Sequence, residues 1–153
     1  RVRVPGGFRL TIAPDKRVWN TPSGKAQFFA HPHVDERGDA RLLLTTIRSH
    51  DQYNTTIYTL DDRYRGVTGR RDVIFANEVD LSQMGLAHGD VVDVESAGGA
   101  VLRGFTVIAH AIARGSLAAY YPEANCLVPL GDHDPVSGTP AYKSIPVTLR
   151  AAT

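Results

Sequence analysis

The stretch from Val91 to Ala109 constrains the fold more than any other part of the chain. Val91-Val92-Asp93-Val94-Glu95 alternates in the manner of a half-buried strand, Gly98-Gly99 supplies a hairpin turn, and VLRGFTVIA follows, so the segment reads as a two-strand ribbon. The HGD turn at residues 88–90 leads into it. A short helix is expected just upstream, with Asp80 as its N-cap, Leu81, Met84 and Leu86 on one face and Gly85 weakening its C-terminal end. RLLLTTI at residues 41–47 is a strand whose continuous apolar run predicts burial on both faces. Further strands are expected at DVIFAN (about 72–77), SLAAYY (116–121) and IPVTLR (145–150), with an arginine-rich, glycine-punctuated stretch from Leu60 to Arg71. Residues 1–40 form an irregular lead-in with turns at Pro5-Gly6-Gly7, Thr21-Pro22-Ser23-Gly24 and His31-Pro32-His33, in which Gln27-Phe28-Phe29-Ala30 reads as one short strand. About five to seven strands with one clear helix argue for a β-barrel or sandwich.

Composition narrows the function classes. A chain of 153 residues fits one domain of ordinary size, and an apolar share of 42% with a net charge of +1 is the profile of a folded globular protein. The densest run of cations, Arg63, Arg65, Arg70 and Arg71, is interleaved with Asp61, Asp62 and Asp72, so no basic stripe argues for nucleic acid. With Cys126 as its one cysteine, the chain has no internal disulfide and no thiolate set for zinc or an iron–sulfur centre. Cys126 itself reads as a small buried hydrophobe. His31 and His33 lack a third ligand nearby and read as a solvated loop, and His133 between Asp132 and Asp134 reads as solvated rather than as a base. No apolar run approaches the roughly 18 residues of a membrane span, and RVRVPGGF lacks an apolar signal core, so the expectation is a cytoplasmic protein with no membrane partner. Beginning on Arg1, the chain reads as an excised or processed piece.

Three segments together resemble one family. LLLTTIRSHDQYNTT carries Thr46, Arg48, Gln52, Tyr53, Asn54 and Thr55 in a strand-then-loop pattern, and DLSQMGLAHGDVVDVES carries an acidic residue, a glycine and a GD turn before alternating valines. Asn125, then Asp134-Pro135-Val136-Ser137, then Tyr142-Lys143 close the series, and TPSGKAQFF precedes it. In order and spacing, over about residues 20 to 150, this is similar to the C-terminal molybdopterin dinucleotide-binding domain of the dimethyl sulfoxide reductase (molybdopterin oxidoreductase) family. The string DQYNTTIYTLDDRYRG resembles its formate dehydrogenase-like members, with Asn54 standing where a second histidine is expected. The GD turn alone recurs in barrels of many functions and supports a fold rather than an activity.

The resemblance implies a mainly β chain, a six-stranded double-psi β-barrel of the aspartate decarboxylase-like kind with a few short helices, whose closure removes exposed strand edges. Residues 1–40 would be a lead-in packing on the barrel and residues 41–153 the dinucleotide-binding barrel. Leu42, Leu44, Ile74, Val92, Val94, Val101, Phe105, Val107 and Val147 are the expected core. It further implies bis(molybdopterin guanine dinucleotide), bis-MGD, as cofactor, with Mo or W held by a parent enzyme. The remaining domains of that oxidoreductase would be the partners. The isolated domain would bind no metal and catalyse nothing.

The candidate cofactor-binding residues are Thr46, Arg48, Ser49, His50, Gln52, Tyr53, Asn54, Thr55, Asn125 and Lys143. A pterin edge presents fixed donors and acceptors that Asn, Gln, Thr and backbone groups pair, since leaving them unpaired on burial costs roughly 1–3 kcal/mol each. Arg48 offers a bidentate fork to phosphate or carbonyl, and Lys143 a flexible point charge. Taken one at a time, Arg48 reads as a solvated arginine, His50 equally as a surface histidine or a pterin neighbour, Tyr53 as core packing, and Asn125 as a turn residue. Two other readings of the barrel remain: a non-catalytic adaptor module, and a self-processing aspartate decarboxylase-like enzyme cleaving at Gly115-Ser116.

Overall fold

The computed structural model describes residues 3–10, 12–32 and 42–152, so His33 and the first residue of the expected 41–47 strand lie outside the described residues. The chain divides into two units, Arg1–Val34 and Asp35–Thr153. In the first, α1 is a single turn, Ala13–Lys16, and tight turns form where glycine was read to place them. Gly7 N–H donates to the Val4 carbonyl (2.9 Å) and Gly24 N–H to that of Thr21 (3.0 Å), with Gly7 and Gly24 both at positive φ. The strand expected at residues 27–30 does not form. No described strand pairs with it and Phe28 is 98% exposed; an apolar pattern without a partner for its N–H and C=O groups gives no ladder.

The second unit contains β1 (Leu42–Ile47), the short ribbon β2 (Gln52–Tyr53) and β3 (Thr56–Ile57), β4 (Val73–Ala76), α2 (Glu78–Gln83), β5 (Val91–Ser96), β6 (Val101–Ala109), β7 (Ser116–Tyr120), a 3-10 helix at Glu123–Leu127, and β8 (Ile145–Ala151). Six strands close into a barrel in the order β1-β7-β4-β6-β5-β8. Two pairs are parallel, β1 with β7 and β4 with β6, and the other neighbours run antiparallel, which is the double-psi arrangement. Among the described residues no helix is long and apolar enough to cross a membrane.

The barrel interior explains the strand patterns. Leu42, Leu44, Ile74, Val92, Val94, Phe105, Val107 and Val147 all lie in the core as expected. Val101 does not, and Leu102 takes its place. The register between β5 and β6 shifts at Val92/Val94, where Gly104 adopts φ +70 and its N–H donates to Asp93 Oδ1 at 2.9 Å. This bulge exchanges the inward and outward faces of β6, so parity counted back from Val107 fails beyond it. β1 also departs from expectation. Leu42, Leu44 and Thr46 are buried while Leu43, Thr45 and Ile47 are only half-buried, because its outer face is incompletely covered. Burial on both faces belongs instead to β4, where every residue is buried.

α2 begins earlier than Asp80. Asn77 is the N-cap, its Oδ1 accepting from Val79 N–H at 2.9 Å. Asp80 is instead a buried residue inside the helix, accepting from Gly115 N–H (2.6 Å) and Arg114 Nε (3.1 Å). These bonds tie the helix to the turn before β7. At the other end Gly85, at φ +71, lets Leu86 N–H reach back to the Leu81 carbonyl (2.9 Å) and Gly85 N–H to that of Ser82 (3.2 Å), and both leucines enter the core.

Residues from Leu60 to Arg71 cover the outer face of β4, where Val67 joins Val73, Phe75 and Tyr120 in a second apolar cluster with Ile47 and Ile108 at its edge. Asp62 fixes this covering segment. Its Oδ2 accepts from Arg65 Nη1 (2.6 Å) and from the buried Tyr120 hydroxyl (2.8 Å), and its backbone pairs with Val67. Burial pushes the Asp62 carboxyl up, but the bonds from Arg65 and Tyr120 and the Arg65 charge outweigh it, leaving its pKa below the usual carboxylate value. A lowered folded-state pKa means the stabilisation is complete above the unfolded value of about 3.9 and is lost as pH falls through the lower folded value. Asp62→Asn should therefore cost about 1.5–3 kcal/mol at neutral pH, and its deficit relative to the parent chain should shrink toward pH 3. Denaturant titrations at the two pH values check this; an equal deficit at both would show that the carboxylate charge does not hold the segment.

Candidate functional site

Because β1 and β7 run parallel, the chain leaves both strands at the same end of the barrel. From β1 it enters the loop of residues 48–57; from β7 it passes through Tyr121-Pro122 into the 3-10 helix that carries Asn125. The approach to β8 brings Tyr142 and Lys143 to that end as well. Tyr121 N–H donates to the Ile47 carbonyl (2.7 Å) and Thr46 N–H to that of Tyr142 (3.1 Å), Lys143 Nζ donates to the Thr46 carbonyl, and the Tyr121 and Tyr142 rings meet edge to face at 5.8 Å. Segments nearly a hundred positions apart thus form one surface.

The candidate residues on this surface fall into two groups. Thr46, Ser49 and Gln52 spend their side chains on the scaffold. The buried Thr46 hydroxyl donates to the Tyr142 carbonyl (3.3 Å). Gln52 Oε1 accepts from Ser49 N–H (3.0 Å) and Arg71 Nη2 (3.0 Å), while its Nε2 donates to the carbonyls of Asn54 (2.8 Å) and Tyr121 (2.6 Å). Arg48, Tyr53, Asn54, Thr55, Asn125 and Lys143 are exposed. Tyr53, at 69% exposure, is therefore not core packing, and Asn54 turns the β2–β3 ribbon at φ +52 while accepting from Arg48 Nη2 at 3.0 Å. The Asn125 side chain bonds to no described residue, and Arg48 and Lys143 form no ion pair with one. Burial, then the nearby Arg48 charge, holds the Lys143 ammonium below its ordinary pKa.

His50 belongs with the second group through one atom. Its ring lies 4.5 Å from that of Tyr64, Nδ1 is 3.5 Å from Asp51 Oδ1, and Nε2 is buried with no hydrogen-bond partner among the described residues. Such an atom carries a desolvation cost that an arriving polar group would relieve.

Arg71, read in the sequence only as part of a mixed charge run, lies under the whole surface at 7% exposure. Its Nε donates to Glu123 Oε1 (2.6 Å) and Nη2 to Glu123 Oε2 (3.0 Å), Nη1 donates to Ser49 Oγ, Nη2 also reaches the Tyr121 carbonyl (2.7 Å), and its guanidinium carbon stands 4.7 Å from the centroid of the Tyr120 ring. No local signal marks it, since Glu123 is 52 positions away. The Asp134-Pro135-Val136-Ser137 element proves to be a self-capped turn, with Asp134 Oδ1 accepting from Val136 N–H (3.1 Å), Ser137 N–H (2.7 Å) and Ser137 Oγ (2.8 Å). Cys126 is exposed rather than buried, because the short 3-10 helix turns Ala124 and Leu127 inward and leaves the residues between them outside. Gly115, of the Gly115-Ser116 pair, lies toward the opposite end with its carbonyl accepting from Leu43 N–H (2.9 Å). Among the described residues no group of three or more His, Cys, Asp or Glu is placed to hold a metal ion.

The molydopterin dinucleotide binding domain family matches residues 42–146. Protein YdeP of Escherichia coli (strain K12) is 43% identical over 159 aligned residues, which take in 97% of this chain and 21% of that protein. An uncharacterized oxidoreductase of Mycobacterium tuberculosis (strain ATCC 25618 / H37Rv), Rv2900c, is 48% identical over 97% of the chain and 20% of its own length. The chain thus spans about a fifth of the curated relatives it matches. Acetylene hydratase from Pelobacter acetylenicus superposes with a TM-score of 0.60 at 15% identity, covering 92% of this chain and 25% of that one, which is a likeness of fold.

The sequence alone predicts that the loop from Arg48 to Thr55 is among the least protected segments of the isolated domain; the anchoring of Ser49 and Gln52 predicts a divided loop. In hydrogen exchange on the chain, the amides of Ser49 and Tyr58, bonded to Gln52 Oε1 and the Asp51 carbonyl, should exchange slowly. Those of Asn54 and Thr55 should exchange fast. Fast exchange throughout would show that the anchor does not hold the loop.

Proposed function

The chain belongs to the family of molydopterin dinucleotide binding domains, and we propose that it is the cofactor-gripping C-terminal domain of a formate dehydrogenase-like molybdenum or tungsten oxidoreductase that binds bis-MGD. One observation carries this reading. Arg48, His50, Asn125 and Lys143, drawn from three separated segments, meet at one end of the barrel with polar groups left unspent, while Thr46, Ser49 and Gln52 are committed to the scaffold beneath them. Two cations held near one another with no ion-paired carboxylate among the described residues form a place that an anion stabilises, which suits a pyrophosphate. The Asn125 amide, the exposed hydroxyl of Thr55 and His50 Nε2 supply the donors and acceptors that a pterin edge requires. Tyr53 offers an exposed aromatic face beside them, and Asn54 holds Arg48 in place.

When bound, the cofactor supplies the electron chemistry, and this chain's residues bind and orient it. The metal ligand and substrate-handling groups belong to the remaining domains of the parent oxidoreductase, which are the proposed partners of this domain. The formate dehydrogenase-like assignment rests on the resemblance of DQYNTTIYTLDDRYRG, and the lead-in of residues 1–40 is proposed to pack on the barrel in the assembled protein.

In the full-length protein, Asn125→Ala or Lys143→Ala should weaken cofactor retention, each removing a contact worth about 1–3 kcal/mol, or roughly five- to hundred-fold in affinity. Lys25→Ala, just past the Thr21–Gly24 turn, should retain cofactor normally. Pterin released per polypeptide measures the effect. Full retention by the Asn125 and Lys143 variants accompanied by a fall in melting temperature would make both residues structural and end this reading.

A further inference from the structure

We infer that Arg71 is the positioning residue of the cofactor site, locking the loop of residues 48–55 and the segment Tyr121–Leu127 into one arrangement so that they meet the dinucleotide as a single wall. This inference rests on the reading above. Arg71 stands two residues before β4, and its own carbonyl accepts from Val73 N–H at 2.8 Å, so its backbone is fixed to the barrel rather than to either segment it serves. From there Nη1 holds Ser49 Oγ, Nη2 holds Gln52 Oε1 and the Tyr121 carbonyl, and Nε and Nη2 hold the two oxygens of Glu123. Glu123 opens the 3-10 helix that carries Asn125. Placement of the Asn125 amide therefore follows from the guanidinium through one carboxylate and a single helical turn.

The chemistry requires arginine. A planar fork donates from three nitrogens along several fixed in-plane directions, whereas an ammonium carries its three donors on one atom and cannot reach acceptors spread around the edge of that fork. The Tyr120 ring, 4.7 Å from the guanidinium carbon, fixes the tilt of that plane. Lys143 lies outside this system, since it is held by the Thr46 carbonyl of β1 and not by any group that Arg71 touches. Arg71 thus governs one wall of the site and leaves the other alone, which makes the inference separable from a general contribution to stability.

The test is a pair of double-mutant cycles in the full-length protein, read as pterin retained per polypeptide, with melting temperature recorded for every variant. Arg71→Gln should lower retention by at least as much as Asn125→Ala, and Arg71→Lys should restore only part of it. If Arg71 acts by placing Asn125, the Arg71→Gln/Asn125→Ala double variant loses little more than Arg71→Gln alone, while the losses of Arg71→Gln and Lys143→Ala multiply. Should Arg71→Gln fail to fold, Glu123→Gln, which cuts the same connection at its far end, replaces it in both cycles. Multiplicative losses with Asn125→Ala, or full retention by a folded Arg71→Gln variant while Asn125→Ala and Lys143→Ala lose cofactor, would overturn the inference alone. Full retention by all the single variants would overturn the binding reading and the inference with it.

Discussion

A guanidinium taken out of water must have its N–H groups met, and this requirement at Arg71 organises the end of the barrel. An unpaired buried charge would cost several kcal/mol, so the fold brings it a carboxylate, two carbonyl or amide oxygens, a hydroxyl and an aromatic face from two distant parts of the chain. The satisfied cation in turn leaves Ser49 and Gln52 no freedom to wander. The anchored half of the loop is thereby ordered by the fold itself, and the entropy of ordering it is lost on folding. Asp62 plays a parallel part beneath, where Arg65 and Tyr120 converge on one carboxylate and hold the covering segment against β4.

Most of the barrel was legible in the sequence because its strands carry local signals. Alternation marked β5, the two glycines marked the turn into β6, and the apolar runs marked β1 and β4. The failures share one cause, a rule applied past the point where a tertiary contact changed it. Period-2 counting put Val101 inside, and the bulge at Gly104 put Leu102 there. Capping chemistry suggested Asp80, but Asn77 satisfies the same backbone need three residues earlier, which frees Asp80 for Gly115 and Arg114. Residues 27–30 had the composition of a strand without a partner strand among the described residues.

The site was legible in a different way. Thr46, the 48–55 loop, Asn125 and Lys143 were reached through a family pattern, and the structure does bring them to one end of the barrel. Chemistry read one residue at a time did not separate those that face outward from those that support, because that division depends on bonds such as Gln52 to Tyr121, 69 positions apart. Arg71 and Glu123 were missed for the same reason. In sequence, an arginine beside an aspartate looks like a solvated pair, which is what Arg70 and Asp72 form, while its neighbour Arg71 turns inward.

The pairing of β1 with β7 and β8 has a consequence for the making of the protein. The strand that opens the barrel finds its hydrogen-bonding neighbours at residues 116–120 and 145–147, so it stays open on the ribosome until nearly the whole domain has emerged. Topologies dominated by such distant pairings fold slowly, and during that interval the apolar face of β1 is a sticking point for other chains. The contact of Lys143 with Thr46 joins residues 97 positions apart, so it needs both to have emerged. A surface finished only at that step admits no ligand to a half-made chain, and a ligand that arrives later adds its binding energy to the completed fold alone.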